Sequence, residues 1–390
     1  MRVIHHGSHA HVVWSKGIAE IPTIPAHILD LASKFQRPPN CYALTVLLTT
    51  RCNLACNYCF QNTASGSPLT PSRIPGHAIT EDVIDHMVRF AGQRMREGGF
   101  REVSAVLFGG EPLLEYKAAE ALLFRLQSLN LVSATLVTNG VLMTPERLEG
   151  LVAKGLRQVQ ITLDGDREHH DAVRVWRGSG AGTFSTILDN LRYCCEVFDV
   201  DFMVRVNTRL DNLSTLNRLI DQLAETLPRE RVHIYFAPLE TSSVWAGAPM
   251  TSERLAEQLE DLYVRAVVSG LVPVVSPSPH GKQCVFCSRM WGKLGNVISA
   301  DGDLYSCWDS AGQVGYRVGD VVDGYSQTAE CAKRWVQCGY QNPCHDAESQ
   351  AWDEVMRRVE PVVLHALQDL HEPNSVNAGI DKAVSCDGCA

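Results

Sequence analysis

No stretch of this chain approaches the roughly 20 consecutive apolar residues that cross a bilayer, although 45% of its 390 residues are hydrophobic. Its first residues, MRVIHHGSHAHVVW, lack the charged-then-apolar order of a secretory signal. Basic excess is also missing. The 35 Lys and Arg are outnumbered by 44 Asp and Glu, for a formal charge of −9, whereas a nucleic-acid binder usually shows a clustered basic face. These absences argue against membrane-spanning, secreted and nucleic-acid-binding classes. They leave the expectation of a cytoplasmic protein, with no nucleic-acid or membrane partner, large enough for more than one domain. Cysteine, by contrast, is plentiful at 14 residues. In a reducing compartment, clustered cysteines more often bind metal or do redox chemistry than form disulfides.

The cysteines are unevenly placed. Cys52, Cys56 and Cys59 form one group, and Cys284, Cys287, Cys307, Cys331, Cys338, Cys344, Cys386 and Cys389 crowd the last 107 residues. Cys41, Cys194 and Cys195 stand apart and read as ordinary buried thiols. The irregularly spaced His5, His6, His9 and His11 read as surface residues.

From residue 43 to about 240, β-rich runs alternate with amphipathic helical segments. The runs are 43–50, 103–109, 132–138, 158–164, 201–207 and 231–237, and their apolar content suits parallel strands covered on both faces. Helical patterns occupy 81–97, 118–129, 145–155, 183–198 and 215–227, with Thr80 and Thr144 as expected N-caps. Six β-α units predict an α/β fold with a parallel barrel or open sheet. Ligands in such folds gather at the C-terminal ends of the strands. The three-cysteine loop, FGGEPLL, TNG and TLDGD all fall at those ends.

TTRCNLACNYCFQ spaces its thiols as CxxxCxxC, with no histidine close behind to complete a zinc site. The spacing reads as an iron–sulfur cluster, where three thiolates leave one iron of a [4Fe–4S] group open. Asn53 and Asn57 suit a tight loop, because Asn tolerates left-handed backbone.

CxxxCxYC, the GGEP after the second strand and the six β-α units together resemble the radical S-adenosylmethionine (SAM) enzymes. The resemblance implies a partial (β/α)6 TIM-like barrel holding a [4Fe–4S] cluster on Cys52, Cys56 and Cys59. It implies SAM on the open iron, cleaved reductively to a 5′-deoxyadenosyl radical that abstracts a substrate hydrogen. Gly109, Gly110 and Glu111 match the motif receiving the SAM amino group, glycines permitting close backbone approach. Tyr58 matches the aromatic near the adenine. Thr138, Asn139, Thr162 and Asp164 match rim positions facing ribose and methionine. Arg174, in HHDAVR, matches an arginine reaching the SAM carboxylate, with Arg205 a further candidate; for both, a structural salt bridge is the alternative.

Residues 269–283 are rich in Pro, Ser and Gly and read as a linker. Beyond them, GNVISADGDLYSCW reads as a β-hairpin turning at Asp301-Gly302. The run Cys284, Cys287, Gly302, Cys307 resembles the small cysteine-rich SPASM or twitch extension of the same family. Downstream the likeness loosens, since Cys331, Cys338 and Cys344 are spaced by seven and six. Eight cysteines suffice for two further [4Fe–4S] clusters. One auxiliary cluster, or a zinc ribbon from Cys284/Cys287 and Cys386/Cys389, remain alternatives.

The expected domains are an N-terminal extension (1–42), a radical SAM barrel (43–268), the linker, and an auxiliary-cluster domain (284–390). Relatives with this extension mostly modify peptides, and DGDLYSCWDSAGQVGYRVGDV is similar to a stretch of peptide maturases. The resemblance therefore implies a precursor-peptide substrate and an external electron donor such as flavodoxin or ferredoxin. Oxidation of a small molecule such as an amino sugar, and sulfatase maturation, are the alternatives. Residues 1–40 form either a cap on the barrel or a contact for a leader peptide. Asp309 is a lead for a catalytic base.

Overall fold

Alternating burial along the parallel strands decides which face of the sheet receives the helices. The computed structural model describes residues 40–59, 61, 76–209, 211–228, 231–238, 252–273, 292–308, 310–313 and 315–335, with three N-terminal strands and positions 355, 358–359, 361–363 and 366. Strands β1 (Arg2–His6), β2 (His9–Trp14) and β3 (Gly17–Glu20) form a separate antiparallel sheet in the order β1-β2-β3.

The main sheet begins with β4 (Cys41–Thr49), β5 (Glu102–Gly109), β6 (Leu131–Thr138), β7 (Leu156–Leu163), β8 (Asp201–Thr208) and β9 (Val232–Pro238). Each pairs in parallel with the next. The intervening helices are α1 (Glu81–Gly98), α2 (Tyr116–Leu126), α3 (Pro145–Val152), α4 (Arg167–Val173), α5 (Phe184–Val197) and α6 (Leu213–Thr226). Helix α7 (Ser252–Val268) follows, and β10 (Val272–Pro273) adds a short parallel strand beside β9, inside the stretch expected to be linker.

Leu44, Val46 and Leu48, Val103, Ala105 and Leu107, and Val159, Ile161 and Leu163 join one core with the helices. The alternate residues face inward. In register they include Thr135, Gln158, Gln160, Arg205 and Tyr235. Thr135 donates to Gln158 Oε1 at 3.1 Å and Tyr235 to Gln160 Oε1 at 3.0 Å. From β6 to β9 the inner face is thus largely polar and partly exposed, whereas the outer one is covered by helices. Thr80 accepts from the Val83 amide at 3.3 Å and caps α1 as expected. Thr144 occupies the N-cap position of α3 as expected, with extended backbone, although its side chain accepts from no helix amide.

The C-terminal hairpin is not a detached layer. Strand β11 (Gly295–Ile298) pairs in parallel with β4, and β12 (Asp303–Tyr305), β13 (Gly319–Asp320) and β14 (Gly324–Tyr325) continue the sheet antiparallel. The hairpin turns at Gly302, whose φ of 85° favours glycine. On the outer face, the Tyr42 hydroxyl meets the Asn296 amide oxygen, and that amide donates to the Tyr325 hydroxyl. On the inner face, Leu47, Val297, Tyr305 and Ala311 make a second small core, with Ala43 and Phe108 against it. Short helix α8 (Ala329–Ala332) follows. Cys41, Cys194 and Cys195 are buried, as expected of ordinary thiols.

Two glycines fix where β5 ends relative to β4. A Cβ on Gly109 would lie 2.2 Å from the Thr49 carbonyl oxygen, and one on Gly110 would lie 2.2 Å from that of Arg51. Both neighbours are backbone and cannot rotate away. Gly110→Ala should therefore lower stability by about 1–3 kcal/mol, an overpacking cost, read as the midpoint of a urea titration. An unchanged midpoint would contradict the close approach.

Candidate cofactor site

The segment following β4 carries the three cysteines, and the ends of three neighbouring strands hold it. Gly110 N donates to Thr49 O at 2.8 Å and Glu111 N to Arg51 O at 2.9 Å, binding the start of the loop to the GGE turn. From the other side, Ala55 N donates to Val175 O at 2.9 Å and Arg177 N to Asn53 O at 2.8 Å. The Arg177 guanidinium reaches the carbonyls of Cys52 (3.0 Å) and Leu54 (2.8 Å). Arg177 has no place in the motif pattern. Its signal was only its position three residues past Arg174.

Asn53 corrects an expectation. Among the described residues, Asn130 alone of the non-glycines has positive φ, so neither Asn53 nor Asn57 uses a left-handed backbone. Asn53 serves through its side chain: its Oδ1 accepts from Asn139 Nδ2 at 2.8 Å.

Glu111 is fully buried and caps a short 3-10 helix, Pro112–Glu115. Its Oε1 accepts from Leu113 N (2.9 Å) and the Thr138 hydroxyl (2.8 Å), and its Oε2 from Asn139 N (2.8 Å). Burial pushes its carboxyl up, against these donors. A carboxylate offers about four acceptor positions, so one stays open on Oε2. The GGE glycines, expected to admit a ligand, are required first by the chain's own backbone at Thr49 and Arg51.

Tyr58 anchors the far end of the loop. Its hydroxyl donates to Asp164 Oδ2 (2.7 Å) and accepts from Arg174 (2.5 Å) and Asn207 Nδ2 (3.0 Å). Asn207 also donates to Asp164 Oδ1 at 2.7 Å, and Asn212 to the Asp164 carbonyl at 2.7 Å. Arg174 lies 3.7 Å from Asp164, both buried. Burial works against the guanidinium's charge, but Tyr58, Cys56 and Asp164 outweigh it and hold the group protonated. His170 is pulled well below the ordinary histidine range, by burial first and then by Arg174. Asn207 was missed in sequence. It stands two residues beyond Arg205 on the same face of β8, a spacing that points to the rim. Arg205 turns its Nε to Asn207 Oδ1 (3.0 Å) and its guanidinium over the Tyr235 ring. Thr162 is half-buried on β7, opposite Arg205.

The residues at this rim suit an anionic, acceptor-rich cofactor. Asn53 Nδ2 and Arg174 Nε are buried donors with no hydrogen-bond partner, and leaving such groups unpaired is costly. Carboxylate and hydroxyl oxygens of a bound cofactor would supply acceptors. Burial pushes the Cys52 thiol up to about 12, with Glu111, Cys56 and Cys59 adding to it, and burial raises Cys56 as well. Thiols so placed become thiolates when a metal displaces their protons. Among the described residues, no three His, Cys, Asp or Glu side chains converge on one point as ligands of a single metal ion would. A four-iron cluster spreads its ligands over separate corners.

Of the C-terminal candidates, Cys307 and Cys331 are buried. The Cys331 thiol donates to Val318 O at 3.4 Å. Cys284, Cys287, Cys338, Cys344, Cys386, Cys389 and Asp309 lie outside the described residues.

Residues 46–219 match the family model described as the radical SAM superfamily. The chain is 25% identical over 280 residues to a probable GTP 3′,8-cyclase of Archaeoglobus fulgidus, covering 68% of this chain and 84% of that protein. It is 28% identical over 314 residues to PqqA peptide cyclase of Rhodopseudomonas palustris, covering 77% of this chain and 78% of that one. The solved structure of anSMEcpe with bound AdoMet and Kp18Cys peptide superposes with a TM-score of 0.60 at 16% identity, over 84% of this chain and 99% of that chain. This last likeness is one of fold.

Tyr58→Phe removes one oxygen and three hydrogen bonds from a buried charged network. It should cost about 1–3 kcal/mol in chemical denaturation, and a wild-type midpoint would show that the network does not hold the loop. With three thiols on a strand-end loop, a buried GGE carboxylate beside them and the match to the radical SAM superfamily over residues 46–219, the chain carries a radical SAM domain and is an enzyme that takes a [4Fe–4S] cluster and S-adenosylmethionine.

Proposed function

We propose that this enzyme modifies a peptide after translation, by a crosslink, an epimerisation or an oxidation. The observation that carries the reading is the joining of the cysteine-bearing hairpin to the barrel. Strand β11 extends the parallel sheet beside β4, Cys307 lies buried two residues past β12, and Trp308 sets its ring edge-on to Phe108 at 6.0 Å. Phe108 immediately precedes the GGE turn, so the hairpin forms a wall next to the cofactor rim. The SPASM-type extension that this hairpin resembles accompanies peptide-acting members. A PqqA peptide cyclase among the relatives supports the same class. The relative named as a GTP 3′,8-cyclase favours a second reading, a small-molecule substrate such as a nucleotide.

In the reading favoured here, Cys52, Cys56 and Cys59 hold the cluster. Glu111 offers its remaining acceptor to the SAM ammonium, and Arg174 offers Nε to the SAM carboxylate. Thr138, Thr162 and Asp164 border the nucleoside, Asn139 faces the cysteine loop instead, and Tyr58 ties the loop down beneath it. When bound, the cluster and SAM supply reductive cleavage and hydrogen abstraction. The protein's part is to orient both, keep the charged rim dry and present the substrate over the inner face. Residues 284–390 hold one or two auxiliary clusters that relay electrons, with Cys307 and Cys331 among the ligands, and an external donor such as flavodoxin or ferredoxin supplies reductant.

The test is anaerobic turnover with SAM and reductant, offering short peptides encoded beside the gene and, separately, nucleotides and amino sugars. A peptide should raise 5′-deoxyadenosine formation and itself change mass, and Cys56→Ala should abolish both. Turnover of a nucleotide or sugar with no peptide changed would overturn the peptide reading.

A further inference from the structure

Asn139 was expected to face the ribose, yet its side chain is committed elsewhere. It is 6% exposed, at the end of β6. Its Oδ1 accepts from Val141 N at 3.0 Å, which fixes which end of the amide is oxygen. The amino end therefore points at the cysteine loop. There Nδ2 lies 3.8 Å from Cys52 Sγ and 2.8 Å from Asn53 Oδ1. Cys52 Sγ also accepts from Leu54 N at 3.4 Å.

We propose that Asn139 is a positioning residue that sets the reduction potential of the SAM-binding cluster through an N–H···S hydrogen bond to Cys52, shared with Asn53. The proposal rests on Cys52 being a cluster ligand. Hydrogen bonds to ligand sulfur stabilise the electron-rich, reduced cluster more than the oxidised one, and so raise its potential. Asn53 Oδ1 competes for the same donor. Its acceptance of the shorter bond leaves Cys52 only part of the amide's donating capacity. The two side chains thereby act in opposite directions on one sulfur.

The opposition makes the idea testable on the full-length, anaerobically reconstituted protein. The readout is a potentiometric titration of the reduced-cluster resonance signal that responds to added SAM. At the potential where half of the wild type is reduced, Asn139→Leu should lower the reduced fraction roughly three-fold. Asn139→Asp keeps the shape and the acceptor for Val141 N but loses the donor, and should lower it further. Asn53→Ala should raise the fraction. SAM affinity, measured by equilibrium dialysis, should move by less than about two-fold, since a sulfur contact is not a nucleoside contact. Unchanged potentials with SAM affinity weakened about ten-fold would overturn the proposal in favour of a ribose contact. Shifts of one sign in all three variants would likewise overturn it, as general damage to the loop. If Cys52→Ala keeps the SAM-responsive signal, the ligand reading itself fails and the proposal falls with it.

Discussion

Two backbone hydrogen bonds carry the site: Gly110 N to Thr49 O and Glu111 N to Arg51 O. They require the end of β5 to lie against the chain leaving β4 at a distance that no Cβ permits. Because of that contact, the cysteine loop starts beside the one buried carboxylate of the GGE turn. Glu111 then reaches across to Thr138 and Asn139 at the end of β6. Asn139 turns back to the loop, closing a ring of contacts from thiol to carboxylate and to thiol again. Replacing either glycine would move the cysteine loop away from Glu111, Thr138 and Asn139.

The second anchor is electrostatic. Arg174 is buried among Tyr58, Asp164 and Cys56, and its charge persists because these neighbours outweigh burial. Removing one member of such a set costs more than the set contributes, since the remaining charge is left unpaired. Arg174 and Arg177 lie on one short segment, the first holding Tyr58 and the second holding the carbonyls of Cys52 and Leu54. The loop is thus clamped at both ends, with its thiols between.

Much of this was legible from residue order. The six strands, their helices and the motifs at their ends follow from period and spacing, because a strand's alternation and a helix's amphipathic stripe are local properties. The count and spacing of Cys52, Cys56 and Cys59 carry the expectation of a cluster, and their loop lies where the strand order puts it, at the end of β4. The placements of Arg177, Asn207 and Asn53 were not legible, because each is defined by a partner far along the chain. Asn53 reads as a turn residue in sequence, yet its side chain is bonded to Asn139. Thr144 reads as a cap and takes the N-cap position, yet its side chain bonds no helix amide. The parallel pairing of β11 with β4, which sets Val297 beside Thr45, was equally hidden. The whole barrel intervenes between those two strands in sequence, and no local pattern tells a hairpin which edge it will extend.

The central claim is that one cluster, held by Cys52, Cys56 and Cys59 beside Glu111, keeps an iron open to SAM. Electron–nuclear double resonance on the reduced protein, with SAM carrying isotope-labelled amino nitrogen and carboxylate oxygen, tests it most directly. The account predicts hyperfine coupling from both labels to a cluster signal that disappears in Cys52→Ala, Cys56→Ala and Cys59→Ala. A reduced cluster with no coupling to either label, or with coupling that survives loss of these thiols, would contradict it.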